Sequence, residues 1–347
     1  MNAAKRQGAH TVDPDRLLQI IAGFRGARVA VFGDLLVDEF IYGEISRVSR
    51  EAPVLILNYD STELVPGGAG NAANNVAALG GTAAAVGVVG GDESGRRLLE
   101  TMRGRIDVRG VTSARDGRTP TKTRILAGGI HSAKQQVVRI DRSARLPLTE
   151  STRRAIGAKL AAAAARCDAL LVSDYGSGLV TPALVSAARD ALRRRAGRRP
   201  AVLVDSRYAL MRFRGMTACT PNESEVEHLF DVRIGENTRV LEKAGRALLS
   251  RTRSEAVLIT RGSRGMALFE PGRPTVHIPI VGSDQIADVT GAGDTVIATM
   301  TLALSAGASF LEAAHLANHA GGIVVMKRGT ATVSAAELQH AVSSFRA

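Results

Sequence analysis

Short apolar runs alternate along this chain with longer stretches whose apolar residues recur every three or four positions. Arg28–Phe32 (RVAVF) is apolar and stops at Gly33-Asp34, which predicts a buried strand. From Asp38 to Leu57 the pattern is strand-like but broken, with Pro53 inside it. Gly67–Gly70 opens a helical stretch that runs through Leu79. Ala83–Val89 predicts a second buried strand, and a helix follows from about Ser94. Residues 121–127 (TKTRILA) and 135–140 (QQVVRI) alternate apolar and polar side chains, as a half-exposed hairpin does, with a loop that begins at Gly128-Gly129.

Past residue 150 the texture changes. An Ala-rich helix precedes the strand Ala169–Ser173. Strand and helix then alternate: a helix from Thr181, a strand at 201–205, helices from Asn222 and Glu236, and a strand at 256–260. Gly265–Phe269 and Thr275–Ile278 predict two more strands, and two helices starting near Gly291 and Phe310 close the chain. This β-α alternation implies an α/β fold with a mostly parallel sheet covered by helices on both faces. The alternating segments at about 38–58 and 120–141 do not suit a doubly covered sheet. They predict a small β lid inserted into a single domain. Residues 1–14 are polar and are expected to be disordered.

Composition narrows the function. The chain has 347 residues, 45% hydrophobic and 22% charged, as a globular protein does. Cys167 and Cys219 lie far apart, which fits a reducing, cytoplasmic setting and offers no zinc motif. The net charge of +12 invites a nucleic-acid partner. Against it, six lysines stand beside 39 arginines in an Ala- and Gly-rich chain, the pattern of a GC-rich genome. Aromatics are 3% with no Trp, which leaves little surface for base stacking. The basic runs Arg193–Arg195 and Arg198–Arg199 are short. An anionic small substrate is the better partner, with no nucleic acid and no membrane. Residues 1–14 hold no apolar run of the kind a signal peptide needs, so none is expected, and Val76–Gly91 is too short to span a bilayer.

The most informative stretch is Asp288-Val-Thr290-Gly291-Ala292-Gly293-Asp294, which runs into an apolar helix. Small residues at a helix start let the backbone approach a ligand, and free N–H groups with the helix dipole attract anions. A carboxylate there, Asp294, is costly beside a phosphate unless it accepts a proton from an attacking hydroxyl. The plain alternative is a first-turn acid after a glycine turn. Gly67-Gly68-Ala69-Gly70-Asn71, with Asn74 and Asn75, sets three amides on one helix face, suited to polyol hydroxyls or simply to capping. The same stretch matches GxGxxA, which would mean a dinucleotide-dependent oxidoreductase, yet it follows Leu64-Val65-Pro66 rather than a clean strand. Walker A, HExxH and GxSxG patterns are absent. Asp34 and Asp38 follow the first strand, where open α/β sheets bind ligands. Lys122, Arg124, Arg139 and Arg142 either protect a strand edge or hold a substrate phosphate.

Taken in order, GGAGNA at 67–72, Asn222-Glu-Ser-Glu225 and DVTGAGD at 288–294 resemble the ribokinase-like carbohydrate kinase family, over about Arg28 to Thr332. Gly33-Asp34…Asp38, Arg47–Val54, Lys122–Leu126 and Gln135–Asp141 are most similar to the branch that phosphorylates D-glycero-β-D-manno-heptose 7-phosphate. The resemblance implies ATP-dependent phosphorylation of the anomeric O1, giving the 1,7-bisphosphate, in the cytoplasm of a bacterium that builds lipopolysaccharide. It implies Asp294 as base, with the backbone N–H groups of Gly291, Ala292 and Gly293 as the anion hole. Asn222 and Glu225 are implied to organise Mg²⁺ through water, and Thr260, Arg261, Gly262, Gly265 and Asn318 to border the nucleotide. Asp34, Asp38, Gly68, Asn71 and Asn74 or Asn75 would grip the sugar, and Lys122, Arg124 and Arg142 its phosphate. Asp288 and Thr290 resemble part of a K⁺ site. A homodimer through the lid follows from the same likeness, as does the alternative of a different sugar or sugar-phosphate acceptor. An inactive sugar sensor on this fold would not need Asp294. Relatives often continue into a nucleotidyltransferase. This sequence shows no HxGH motif and is expected to be the kinase alone. Two positions depart from the family pattern: Ser177 stands for Lys and Ser206 for Pro, with Arg207 available as a replacement cation.

Overall fold

The computed structural model describes residues 12–128, 134–142, 146–195, 200–281 and 288–344. Most of the 1–14 segment lies outside them. Asp13 and Pro14 begin a helix, the Asp13 carboxylate accepting the Asp15 N–H at 3.0 Å. The elements in chain order are α1 (Pro14–Ala22), β1 (Arg28–Gly33), β2 (Leu35–Val48), β3 (Leu55–Gly68), α2 (Ala69–Ala78), β4 (Thr82–Gly90), α3 (Glu93–Met102), β5 (Ile106–Ala114), β6 (Thr121–Gly128) and β7 (Gln135–Arg142). They continue with α4 (Glu150–Ala164), β8 (Ala169–Asp174), α5 (Pro182–Arg195), β9 (Ala201–Ser206), β10 (Ala218–Cys219), α6 (Glu223–Phe230), α7 (Thr238–Thr252) and β11 (Ala256–Thr260). The last are β12 (Met266–Phe269), β13 (Val276–Ile278), α8 (Ala292–Ser305), α9 (Phe310–Val324) and α10 (Ala335–Ser344).

The large sheet has the order β13-β12-β11-β10-β9-β8-β1-β4-β5, parallel from β11 to β5 and antiparallel at β12 and β13. Its inner strands, such as β1 and β8, are buried on both faces, which explains their apolar runs. Val29 and Val31 of β1 face one core with Val76 of α2, Met300 of α8 and Leu316 of α9. Ala30 and Phe32 face the other, with Ile156 of α4, Val185 of α5 and Leu248 of α7. The strand order reverses between β1 and β8. The chain therefore diverges in opposite directions above their carboxyl ends and leaves a crevice there. Asp34 and Tyr175 stand at its two lips.

The small sheet has the order β3-β2-β6-β7. Its first half is longer than the pattern suggested. The broken stretch at 38–57 is two strands that meet across Pro53, and β3 runs on through Pro66 to Gly68. Pro66 is tolerated because β3 is an edge strand, where a missing N–H breaks no ladder. The loop expected at Gly128-Gly129 falls largely outside the described residues. Two strands escaped the sequence pattern: β5, half-exposed at the sheet edge, and β10, two residues long. A third closing helix, α10, packs on α1 and α9. No described helix is long and apolar enough to cross a membrane.

Candidate active site

Helix α8 begins at Gly291 with φ +78°, a conformation that a side chain makes costly. A Cβ there would also come within 2.5 Å of Asn71 Nδ2. The glycine thus lets α2 and α8 touch end to end. Asn71 Nδ2 donates to Asp294 Oδ2 at 2.9 Å and lies 3.4 Å from Gly291 O. Asn75 Nδ2 donates to Asn71 O and Oδ1, both at 3.1 Å, and Thr295 Oγ1 donates to Asn75 Oδ1 at 3.0 Å. Of the three amides on α2, Asn71 therefore reaches the site. Asn75 is fully buried and braces Asn71, so it grips no sugar. Asn74 is half-buried, beside this chain of bonds rather than in it.

Asp294 is 3% exposed. Burial, and then the charge of Asp38, push its carboxyl up to about 7 against the pull of Asn71, Tyr175 and Lys122. That range suits a group that takes a proton near neutral pH. Tyr175 donates its phenol O–H to Asp294 Oδ1 at 3.2 Å. The tyrosine is held by Asp34, whose Oδ2 accepts the N–H of Tyr175 at 2.8 Å and of Ser177 at 3.2 Å. The Ser177 hydroxyl donates to Asp34 Oδ1. Asp34 thus shapes the loop after β8 instead of meeting a sugar. The second departure behaves alike: Ser206 Oγ donates to Asp174 Oδ2 at 2.7 Å. Each serine satisfies a buried carboxylate, as an unpaired one would be costly there.

The small sheet lies over this crevice, and its register sorts its cations. Lys122 pairs with Asp38 on one side and Asp141 on the other, and Arg124 with Phe40 and Arg139. Side chains directly opposite share a face, so Lys122, Arg124 and Arg139 face the same way as Asp38. Arg142 pairs with Thr121 and points to the opposite face, where it meets Glu39 at 3.3 Å and Thr123 at 3.1 Å. Arg142 is thereby removed from the face that bears Lys122; Arg139 lies on that face, paired with Asp141 through two bonds of 2.7 Å. Arg124 is buried and ion-paired with Asp38 at 2.5 Å, while Asp38 Oδ2 accepts from Thr330 at 3.2 Å. That pair builds the wall of the crevice. Lys122 places its ammonium 4.8 Å from the centre of the Tyr175 ring, and burial pulls its pKa down. Gly68, at φ +57°, leaves room for the same ring: a Cβ would come within 3.3 Å of it.

A cavity of about 400 Å³ runs from Tyr175 and Asp294 past Asp205 and Arg207 to Asn222, Glu225 and Thr260. Asn222 and Glu225 form a capping box on α6, with the Asn222 N–H donating to Glu225 Oε2 at 2.9 Å. The NxxE pair thus serves as a helix cap through Glu225 Oε2, and Glu225 also lines the cavity. Burial raises the Glu225 carboxyl, and raises Asp205 well above the usual carboxylate range with help from Glu225, Asp294 and Asp174. Asp205 and Tyr175 stand in the two segments that depart from the family pattern at Ser206 and Ser177, yet neither was among the expected site residues. Their other signal was position, at or just past the carboxyl end of a buried strand.

Three expected nucleotide residues turn elsewhere. Arg261 is buried, with Nε 2.7 Å from Glu223 Oε2 and Nη2 2.7 Å from Gly235 O. Gly265 lies so close to β13 that a Cβ would sit 2.1 Å from Ile278 O, so its neighbour is backbone. Asn318 Nδ2 donates to Pro279 O at 2.7 Å and is 3% exposed. Gly262, at φ +56°, has open space around it. Asp288 accepts the Thr290 N–H at 2.9 Å and the Gly329 N–H at 3.1 Å, tying two loops beside α8.

A buried near-neutral carboxylate at a helix N-terminus, a cationic lid face on one side of it and a long cavity leading away to Thr260 on the other fit a sugar-phosphorylating enzyme of the ribokinase-like class. The chain belongs to the pfkB family of carbohydrate kinases, whose sequence model matches residues 27–337. It is 41% identical over 320 residues to the bifunctional protein HldE of Geobacter metallireducens, covering 92% of this chain and 64% of that protein. It is 40% identical over 342 residues to HldE of Caulobacter vibrioides, covering 95% and 66%. The chain thus spans slightly less than two thirds of the length of these curated relatives. In structure it is similar to Escherichia coli phosphofructokinase-2 in complex with potassium, with TM-score 0.72, 20% identity and coverage of 92% and 100%. Arabidopsis thaliana ribokinase complexed with ribose and ATP gives TM-score 0.68 at 17% identity, covering 91% and 99%. Both likenesses bear out the expected fold.

Proposed function

We propose that the chain transfers the γ-phosphoryl group of ATP to the anomeric O1 of D-glycero-β-D-manno-heptose 7-phosphate, in the cytoplasm, toward lipopolysaccharide. The observation that carries this reading is the position of Asp294: near-neutral, at the start of α8, and opposite the lid face that bears Lys122 and Arg139. The lid stretches that resemble the heptose branch, and the 41% identity to an HldE protein, support the acceptor. In this reading Asp294 takes the proton of O1 as the oxygen attacks. The N–H groups of Gly291 and Gly293 receive the transferring phosphoryl group, joined by that of Ala292 once it leaves its 3.3 Å bond to Val289 O, and such fixed donors contribute most to the rate. Lys122 and Arg139 hold the 7-phosphate, and Asn71 keeps the carboxylate aimed.

The cavity from Asp294 to Thr260 would take the nucleotide phosphates. Glu225 lines it and suits a hydrated Mg²⁺, which needs few carboxylates and would supply charge neutralisation there. Asp288, with its oxygens joining residues 290 and 329, is the place for a monovalent cation such as K⁺. The outer face of the lid carries Ile45, Tyr59, Val138 and Ile140, each at least 40% exposed, and supports a homodimer through this sheet.

A coupled ADP-release assay tests the proposal against heptose 7-phosphate, fructose 6-phosphate, ribose, adenosine and buffer. Turnover confined to the heptose phosphate is expected. Turnover with another member would reassign the acceptor, and no ATP binding at all would sink the kinase.

A further inference from the structure

A kinase that holds ATP while it waits for a sugar must avoid handing the phosphoryl group to water. Here both oxygens of the base are already engaged: Oδ2 by Asn71 at 2.9 Å and Oδ1 by the Tyr175 phenol at 3.2 Å. The two donors differ in kind. Asn71 is braced through Asn75 to Thr295 and cannot move without α2. Tyr175 lies on the loop after β8, at the wall of the cavity, and its ring stands where the acceptor must come. Gly68, Lys122 and Asp294, all expected around the sugar, surround that ring.

We propose that Tyr175 is a latch on the base: its hydroxyl occupies Asp294 Oδ1 until an acceptor hydroxyl replaces it, and so suppresses ATP hydrolysis in the absence of sugar. This rests on Asp294 being the base. Asp294 is 3% exposed with the phenol in place, so water has little access to Oδ1. Without the hydroxyl, a water on Oδ1 attacks the γ-phosphorus. The new O–P bond forms, the bond from phosphorus to the β-γ bridging oxygen breaks, ADP leaves with the electron pair, and the water's proton passes to Asp294. Excluding such side reactions is a recognised role of a closed site. Lys122 supplies the release. Its ammonium sits over the ring, and a phosphate on the incoming sugar draws that cation away from the tyrosine.

The test measures ADP release by the whole chain with ATP and Mg²⁺ but no acceptor. Tyr175→Phe keeps the ring and removes the hydroxyl. It should raise acceptor-free hydrolysis by about tenfold or more, a fraction of the ~10²–10⁴ that a positioned base contributes. The gain should vanish in the Tyr175→Phe/Asp294→Asn double variant, a dependence that a merely structural tyrosine would not produce. Tyr175→Met, which keeps bulk without the hydroxyl, should show the same gain. Hydrolysis unchanged in both single variants, with ATP binding retained, overturns the latch and leaves the base intact. A gain that survives in the double variant also overturns it. Full sugar turnover in Asp294→Asn removes the base reading, and the latch falls with it.

Discussion

Asn71 and Asp294 lie 223 residues apart and meet at 2.9 Å, joining the starts of α2 and α8. The two glycine-rich stretches of the chain are thereby one structure. The amide supports the ionised carboxylate, and burial opposes it.

The pH profile should show this balance. A base at about 7 must be ionised to work, so kcat/KM should fall as pH drops through 7. Asn71→Leu removes a contact that lowers the carboxyl, so the acid limb should move to higher pH and kcat should drop about tenfold or more. A limb that stays in place in a pH–rate series would detach Asn71 from the base.

The same raised carboxyl has an effect on stability. A folded value above the ordinary 3.8 means the native state favours the protonated form. The group costs nothing below about pH 4, and its cost grows as pH rises toward 7. Asp294→Asn should therefore melt higher than the parent at pH 8 and alike near pH 4, while losing ~10²–10⁴ in kcat and keeping ATP binding. Equal melting temperatures at both pH values would refute the assigned burial effect.

The lid predicts a split among its cations. Lys122→Ala and Arg139→Ala should raise KM for a phosphorylated sugar about tenfold or more, with kcat less affected. Arg142→Ala, on the other face, should leave that KM within about twofold. Steady-state kinetics on the three variants decides it, and an effect of Arg142 equal to Lys122 would contradict the register.

Arg261 should act through stability. Removing a buried guanidinium leaves Glu223 with Arg264 alone on the described side of the pair, a loss of about 3 kcal/mol by the usual cost of breaking such a pair. Urea unfolding of Arg261→Ala should show that loss, with KM for ATP changed less than about threefold. A large KM effect without a stability change would return Arg261 to the nucleotide.

Much of the fold could be read ahead of the structure because doubly covered strands must be apolar throughout, as Arg28–Phe32 and Ala169–Ser173 are. The candidate base was legible only in part, since a carboxylate after TGAG reads equally as a first-turn acid, and it took the fold to show Asp294 buried against Asn71. What a linear pattern hides is where a long polar side chain turns. Arg261 stands beside Thr260 at the cavity yet swings back to Glu223. Asn75 shares a face with Asn71 yet is sealed under it. Ser177 and Ser206 look like lost contacts in sequence, while in space each hydroxyl fills the need of a buried acid. Tyr175 and Asp205 lie in those same two segments, where the sequence drew notice only to the serines. Their importance comes from the reversal of strand order between β1 and β8.

The pairing of β6 with β7 has a consequence for how such a lid can change over time. Its two faces hold different tasks, and neighbouring residues belong to alternate tasks. Substitutions can tune either surface freely. A one-residue insertion within β7 would act like a frameshift, turning Arg142 inward and Arg139 outward, unless a bulge absorbed it. The pair already holds one such irregularity, where Ile125 meets Val138 and Leu126 meets Gln136, so an odd residue can enter this lid only where a bulge takes up the difference.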